Sequence, residues 1–317
     1  MFDAMPPLFG AVAFRVGALL AVGAGAILLL NVVTSSRRST SPLSERQTRS
    51  RASLWPRFWV WVVGTSLLLA GAGVGYVGFG LLLAALSIQA AREVAGALRA
   101  SRVEVPTLLI AIATPLVVIS GARWSDAAML PAAIASALMT LLVILIAKRG
   151  AAGLVPSLVA CLATIGYVAV PLAVLVGTLR QPNGFALVSW LLIVIVLSDT
   201  FAMFGGLAMG RRQIASRISP GKTLEGVIAG FVGAVAGAAV MRFAFPQASP
   251  LTYYLAAIGV GVAGLIGDLL ASALKRTAGL KDFSRFLPGH GGLMDRLDSI
   301  LLGVPALILL EWLGAFR

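Results

Sequence analysis

Repeated apolar segments of about 20 residues, each nearly free of charge, constrain this 317-residue chain more than any other feature. A helix of that length matches the hydrocarbon thickness of a bilayer and satisfies its backbone hydrogen bonds internally. The segments lack the strict alternation of a membrane β-strand. Only 12% of the residues are charged and 59% are hydrophobic, whereas a soluble domain carries about 25% charge. We therefore predict an all-α, polytopic integral membrane protein.

The apolar segments predict about ten transmembrane helices. The segment from Phe58 to Ala91 is counted as two helices, because its five closely spaced glycines indicate a turn. The first segment lacks a basic region and a cleavage site, which predicts a retained anchor. The predicted spans are Val16–Val33, two within Phe58–Ala91, Pro106–Gly121, Ala127–Ala147, Leu154–Thr178, Phe185–Gly205, Thr223–Phe245, Leu251–Leu270 and Ser299–Phe316.

These spans divide the chain into three parts: an N-terminal span with a basic loop (1–57), a helical region (58–184) and a region with the polar motifs (185–317). Glycines four residues apart, as in Gly226/Gly230 and Gly233/Gly237, predict close helix packing. The single cysteine, Cys161, excludes an intrachain disulfide and is interpreted as a packing residue.

Basic residues are distributed unequally between the loops. Alternating the loops across the membrane places 20 of the 25 Lys and Arg residues on one side. The positive-inside rule predicts that this side is cytoplasmic and that both termini lie on the other side. The Ser/Arg-rich stretch 34–57 is predicted to lie on anionic lipid. Nucleic-acid binding is the less favoured alternative for the net charge of +13, and no nucleic-acid partner is expected.

Two polar motifs interrupt the apolar C-terminal region before residue 230. Asp199, in Ser198-Asp199-Thr200, lies inside an apolar segment, where an aspartate is costly and indicates function; a helix–helix hydrogen bond is the alternative. In the stretch 219–226, Ser219 is predicted to cap a helix with Lys222 in its first turn, which would suit a phosphate. A P-loop is rejected, because Ser216 replaces its first glycine and because a membrane span follows, not a strand–loop–helix unit.

The third motif, Gly267–Asp298, combines four aspartates, five Lys or Arg residues and the only histidine. Asp268, Ser272 and Lys275 share one helix face, and that helix is predicted to end near Gly279. A glycine-rich loop around His290 follows. Asp295 and Asp298 then share a face at the start of the last helix. The alternative is a solvated loop with surface ion pairs.

Carboxylates favour Mg²⁺ over zinc, and neighbouring Lys and Arg side chains suit phosphates. At a membrane face, this combination indicates phosphoryl or nucleotidyl transfer onto a lipid phosphate.

The third motif resembles the signature of the CDP-diacylglycerol synthase (phosphatidate cytidylyltransferase) family. The matching positions are Ser272-x-x-Lys275-Arg276, Lys281-Asp282, Pro288-Gly289-His290-Gly291-Gly292, Asp295-Arg296 and Asp298. The stretch Ser219-Pro220-x-Lys222-Thr223-x-Glu225-Gly226 is similar to that family's second motif, and Asp199 matches an aspartate before Ser or Thr. Met203 departs from the family, where many members have tyrosine. The resemblance covers roughly residues 190–300.

The resemblance implies transfer of CMP from CTP to phosphatidate in phospholipid biosynthesis, with Mg²⁺ as the cofactor, and it allows a second cation. It also implies a multi-pass protein of the cell inner membrane with an active site facing the cytoplasm, and it allows a homodimer. The implied catalytic residues are Asp268, Asp295, Lys275, Arg276 and His290. The implied substrate-binding residues are Ser219, Lys222, Thr223, Glu225, Ser272, Lys281, Asp282, Gly291, Gly292 and Arg296. The implied metal ligands are Asp268, Asp295, Asp298 and Asp199.

Two other functions remain open at this point. A secondary transporter could use intramembrane aspartates such as Asp199, Asp268 and Asp295 as ion or proton sites. A related cytidylyltransferase could act on a different lipid phosphate, because acyl chains contact generic apolar walls.

Overall fold

The computed structural model describes residues 8–18, 54–150, 153–284, 286–287 and 291–317. Over these residues the protein is helical, and its only β-pairings are two isolated bridges, which confirms the all-α prediction. The helices are α1 (Phe9–Ala18), α2 (Leu54–Val74), α3 (Tyr76–Ala100), α4 (Thr107–Ser120), α5 (Asp126–Arg149), α6 (Leu154–Thr178), α7 (Gly184–Met209), α8 (Leu224–Met241), α9 (Pro250–Thr277) and α10 (Met294–Trp312).

Six of the described helices are long and apolar enough to cross a membrane: α3, α5, α6, α7, α8 with its following turn, and α9. Three other apolar segments, Phe9–Ala18, Val62–Val74 and Thr107–Arg123, are shorter. Helix α10 carries three charged residues in its first five positions. The membrane-spanning character is supported, but the predicted number of ten spans is not confirmed. Most of Val16–Val33 and of the basic stretch 34–57 lies outside the described residues.

Two observed helices extend beyond the predicted membrane spans. The expected break in Phe58–Ala91 occurs at Gly75, whose φ of 110° favours glycine. However, α3 continues to Ala100, because Val94 and Leu98 are fully buried and extend its apolar face. The last helix starts at Met294, ahead of the predicted span Ser299–Phe316, so Asp295 and Asp298 lie at its start, as predicted. Charged residues therefore lie within both helices.

Glycines on one face of α8 let it pack directly against the backbone of α7. A Cβ atom at Gly233 would collide with the Leu197 carbonyl oxygen, and one at Gly237 would lie 3.0 Å from the Val194 Cα atom. The predicted close packing of the glycine-spaced segment is confirmed. It brings the start of α8 beside the later half of α7, which carries Asp199.

Helix α6 lies at the centre of the bundle. It packs against α3, α4, α5, α7 and α10. Residues such as Leu172 and Val174 are completely buried, and Cys161 is buried as a free thiol, as predicted. Side chains of α6 therefore project into the protein interior on most sides.

Candidate active site

The polar motifs come together where α9 and α10 meet. A Cβ atom at Gly264 would lie 3.5 Å from the Ser299 Cβ atom, and one at Gly267 would overlap the carbonyl of Asp298. Because these glycines lack side chains, the two helix backbones approach closely. The same close approach places Asp268 and Lys275 of α9 beside the first two turns of α10.

One ion pair connects α9 to the residues before α8. The Lys222 Nζ atom lies 2.5 Å from the Asp268 Oδ2 atom, and both side chains are about one quarter exposed. The Ser272 hydroxyl donates to Asp268 Oδ1 at 3.4 Å, as expected from their shared helix face. Burial lowers the pKa of the Lys222 ammonium, but the carboxylates of Asp268 and Asp199 raise it by more, so its pKa lies above the usual value.

The predicted cap at Ser219 is wrong. Helix α8 begins at Leu224, and the Thr223 hydroxyl accepts a hydrogen bond from the Gly226 N–H at 3.2 Å. The Ser219 carbonyl instead accepts from the Lys222 N–H at 3.1 Å, with Pro220 inside the resulting turn. Lys222 therefore lies immediately before the cap and its side chain reaches α9.

A second ion pair joins α9 to α10. The Lys275 Nζ atom lies 2.5 Å from the Asp295 Oδ1 atom, and the two side chains are only 12% and 9% exposed. The other carboxylate oxygen, Oδ2, accepts from the N–H groups of Phe283 at 3.2 Å and Gly292 at 2.9 Å. Asp295 therefore connects α9 and the start of α10 with the loop before α10, whose described residues 283–284, 286–287 and 291–293 we call the signature loop.

Asp298 and Asp199 lie beside these two pairs. Asp298 is buried, interacts electrostatically with Asp268, Asp199 and Lys275, and accepts from the Ser299 N–H at 2.8 Å. The Ser299 side chain hydrogen-bonds to Asp199, which also interacts with the charges of Lys222 and Arg296. Four predicted aspartates and two lysines thus form one electrostatic cluster, which we call the carboxylate cluster: Asp199, Lys222, Asp268, Lys275, Asp295 and Asp298.

Several predicted residues contact the loops around the carboxylate cluster. Glu225 accepts from the backbone N–H groups of Arg211 and Arg212 at 2.9 and 3.3 Å. Arg276 donates to the carbonyl oxygens of Ile218 and Leu280 at 3.1 and 3.4 Å. These contacts bind the loop before α8 to the end of α9.

The remaining predicted residues lie in or near the signature loop. Lys281 and Asp282 are exposed. Gly291, whose φ of 81° favours glycine, leaves room for Asp295, since a Cβ atom there would lie 2.9 Å from Asp295 Oδ2. His290 lies outside the described residues.

Two buried residues at the carboxylate cluster were missed by sequence reasoning. Glu93 of α3 accepts hydrogen bonds from the N–H groups of Leu293 and Met294. Tyr167 of α6 is 2% exposed, interacts electrostatically with three of the aspartates, and its hydroxyl has no hydrogen-bond partner among the described residues. The only sequence signal was that each is a polar residue within a mostly apolar helix.

The carboxylate cluster offers few ligands for Mg²⁺. Among the described residues, no group of three or more His, Cys, Asp or Glu side chains is close enough to hold a metal ion. Mg²⁺ usually needs only one or two carboxylates, completed by substrate phosphates and water. Asp268 and Asp295 each direct one carboxylate oxygen at a lysine ammonium 2.5 Å away, so one oxygen of each residue already faces a cation. This arrangement fits a magnesium site of that kind.

One cavity lies apart from the carboxylate cluster. It has a volume of about 510 Å³ and is lined by the residues between α4 and α5 and between α6 and α7, including Arg123 and Arg180. At the rise per residue of an α-helix, Asp199 lies about 22 Å along the helix axis from Gly184, the first residue of α7. The cavity therefore lies near the opposite end of α7.

Comparison with protein-family models matches residues 55–313, about four fifths of the chain, to the cytidylyltransferase family. A phosphatidate cytidylyltransferase of Helicobacter pylori strain J99 is 38% identical over 157 residues, which are 48% of this chain and 56% of that protein. One from Thermotoga maritima is 42% identical over 113 residues, 34% of this chain and 42% of that protein.

A third relative, the Escherichia coli K12 protein described as "Uncharacterized protein YnbB", is 36% identical over 128 residues, 40% of this chain and 43% of that protein. The chain thus spans about half the length of the curated relatives that it matches. The family match, in contrast, extends over both halves of the chain and includes the whole carboxylate cluster. The chain belongs to the cytidylyltransferase family.

Proposed function

We propose that this protein transfers CMP from CTP to phosphatidate, which yields CDP-diacylglycerol and pyrophosphate for phospholipid biosynthesis. The observation that carries the proposal is the pair of contacts Lys222–Asp268 and Lys275–Asp295, built from both signature motifs at the ends of apolar helices. Relatives named phosphatidate cytidylyltransferase support the choice of acceptor.

The two lysines account for recognition of the triphosphate. An incoming phosphate can take over the hydrogen bonds and the positive charge that Lys222 and Lys275 now direct at carboxylates. The oxygens of Asp268 and Asp295 that are released from these contacts would then be available to a cation. Asp268 and Asp295 would hold Mg²⁺, which would neutralise charge on the phosphates and on the leaving pyrophosphate. The charges of Asp298 and Asp199 lie close enough to influence the electrostatic potential at the phosphates.

The transfer itself needs positioning more than covalent participation of the protein. A phosphate oxygen of phosphatidate attacks the α-phosphorus of CTP, a new P–O bond forms, and the bond to the β-phosphate oxygen breaks. Lys222 and Lys275 hold the phosphates, with Arg296 and Arg276 as further candidate contacts. The apolar helix faces bordering the carboxylate cluster would receive the acyl chains of the lipid.

The proposed location follows from the distribution of charge. Helices α3, α5 and α9 each carry Lys or Arg in the last turn, and Arg211 and Arg212 follow α7. If α3, α5, α7 and α9 end on one side, the positive-inside rule makes that side cytoplasmic. CTP is cytosolic, which suits a carboxylate cluster on that side. An inner-membrane location, about ten spans and a homodimer remain part of this proposal.

A transporter fits the cluster less well. Two of its aspartates are ion-paired with lysines close to helix ends, whereas a transport site is expected near the bilayer midplane. The decisive experiment is an assay of detergent-purified protein with labelled CTP, phosphatidate and Mg²⁺, with EDTA as the control. We expect CDP-lipid that requires phosphatidate and disappears with EDTA.

Each other outcome of this assay contradicts the proposal in a distinct way. CTP binding without product would indicate a different lipid phosphate as acceptor, which a substrate panel would identify. Folded protein that neither binds CTP nor forms product would favour the transporter.

A further inference from the structure

Glu93 is a buried carboxylate in α3, about 200 positions before the signature loop that it contacts. It is 4% exposed. A carboxylate at this depth is costly unless it is fully hydrogen-bonded. Its oxygens accept four hydrogen bonds, from Gln89 Nε2 at 2.9 Å, Ser284 Oγ at 2.7 Å, Leu293 N at 3.1 Å and Met294 N at 2.8 Å.

Two of these hydrogen bonds cap α10. Leu293 occupies the capping position of that helix, and its side chain has no oxygen to accept from the free N–H groups of the first turn. The Glu93 carboxylate supplies the missing acceptor and places a negative charge at the positive end of the helix dipole. A side chain from α3 therefore caps α10, whereas a helix is usually capped by a residue beside it in the sequence.

Glu93 and Asp295 hold the signature loop from two sides. The Gly292 N–H donates to Asp295, while a Cβ atom at Gly292 would overlap the Glu93 carboxylate. Ser284, near the start of the loop, is bound by Glu93, and the neighbouring Phe283 N–H is bound by Asp295. Both ends of the loop thus depend on the same two carboxylates.

We propose that Glu93 is a positioning residue that fixes the signature loop and the start of α10, so that Asp295 faces Lys275 and the reacting phosphates. It is not a catalytic residue, because its oxygens are occupied by hydrogen bonds from Gln89, the loop and the start of α10. The consequence for turnover rests on the proposed function. The consequence for loop order does not, because it follows from the hydrogen bonds alone.

Hydrogen–deuterium exchange of the detergent-purified full chain tests the structural part. Glu93→Ala should speed exchange in a peptide covering residues 291–297 by at least about tenfold, since two capping hydrogen bonds are lost. The matched control is Glu104→Ala, which removes an exposed glutamate beyond the end of α3 and should leave this peptide unchanged. Unchanged exchange in folded Glu93→Ala protein would overturn the proposal.

Steady-state kinetics separate positioning from a purely structural role. Misplacing a reacting group slightly can cost as much as about 10²-fold, so we expect Glu93→Ala to lower kcat by at least about tenfold. The KM for CTP should change by less than about threefold, because the lysines that hold the phosphates remain. A lower melting temperature with unchanged kcat would make Glu93 merely structural and contradict the proposal.

Two further variants keep the test decisive. Glu93→Gln can retain the oxygen that accepts three of the four hydrogen bonds, so its exchange rate and its kcat should lie between those of wild type and Glu93→Ala. If Glu93→Ala does not fold, both measurements are made on Glu93→Gln. Gly292→Ala should speed exchange and lower kcat in the wild-type background, and both effects should be much smaller in protein that already carries Glu93→Ala. Equal effects in both backgrounds would contradict the contact. If even the wild type lacks turnover, the proposed function fails while the exchange result still decides the role of Glu93.

Discussion

The substitution Asp295→Asn offers the sharpest test of the carboxylate cluster. Asp295 accepts from Lys275 with one oxygen and from the Phe283 and Gly292 N–H groups with the other. An asparagine amide provides only one oxygen. Its NH₂ group must face either the lysine ammonium or the two backbone N–H groups. In both orientations, at least one nearly buried donor loses its acceptor.

The expected loss of stability follows from this geometry. Removing one partner of a buried ion pair costs about 3–5 kcal/mol, and the 9–12% exposure of these side chains places the cost near the lower end. At about 2–4 °C per kcal/mol, a cost of about 3 kcal/mol lowers the unfolding midpoint by about 6–12 °C. Turnover should fall by at least about 10²-fold, as when a preorganised electrostatic group is removed.

Both quantities can be measured on detergent-purified protein. Thermal unfolding followed by tryptophan fluorescence gives the midpoint, and CDP-lipid formation from labelled CTP, assayed below the lower midpoint, gives turnover. Asp126→Asn is the matched control, because Asp126 is exposed at the start of α5. An Asp295→Asn midpoint within about 2 °C of wild type, which corresponds to less than about 1 kcal/mol, would refute the stability argument. Turnover within about threefold of wild type would remove Asp295 from the site.

Three further predictions address the lysine, the helix packing and the topology. Lys222→Ala should raise the KM for CTP by about tenfold while it changes the melting temperature little, and an unchanged KM and kcat would exclude Lys222 from CTP binding. Gly267→Ala should destabilise the protein by about 1–3 kcal/mol, because its Cβ atom meets the α10 backbone, whereas Gly96→Ala, with open space around it, should be neutral or stabilising in a thermal unfolding assay. Single cysteines placed at positions 45 and 285 should react with impermeant thiol reagents only from the cytoplasmic side; labelling from the periplasmic side would refute the orientation.

Local periodicity predicted the parts of the site that lie on one helix. Asp268, Ser272 and Lys275 share a face of α9 as expected, because their spacing is set by the helical repeat alone. The glycine spacing in α8 correctly predicted close packing, but it did not reveal that α7 was the neighbour. The capping residue was predicted wrongly, since both Ser219 and Thr223 are good caps and only the observed turn at Pro220 distinguishes them.

Composition and hydrophobic length by themselves determined that the described chain is helical and apolar enough to cross a membrane. Motif spacing predicted which polar residues of its C-terminal region belong to the candidate site. The tertiary structure alone decided that Lys222 pairs with Asp268 and that Lys275 pairs with Asp295. It also brought Glu93 to α10 across about 200 residues. Periodicity describes neighbours on one helix, whereas contacts between helices depend on packing and on how each buried charge finds its hydrogen bonds.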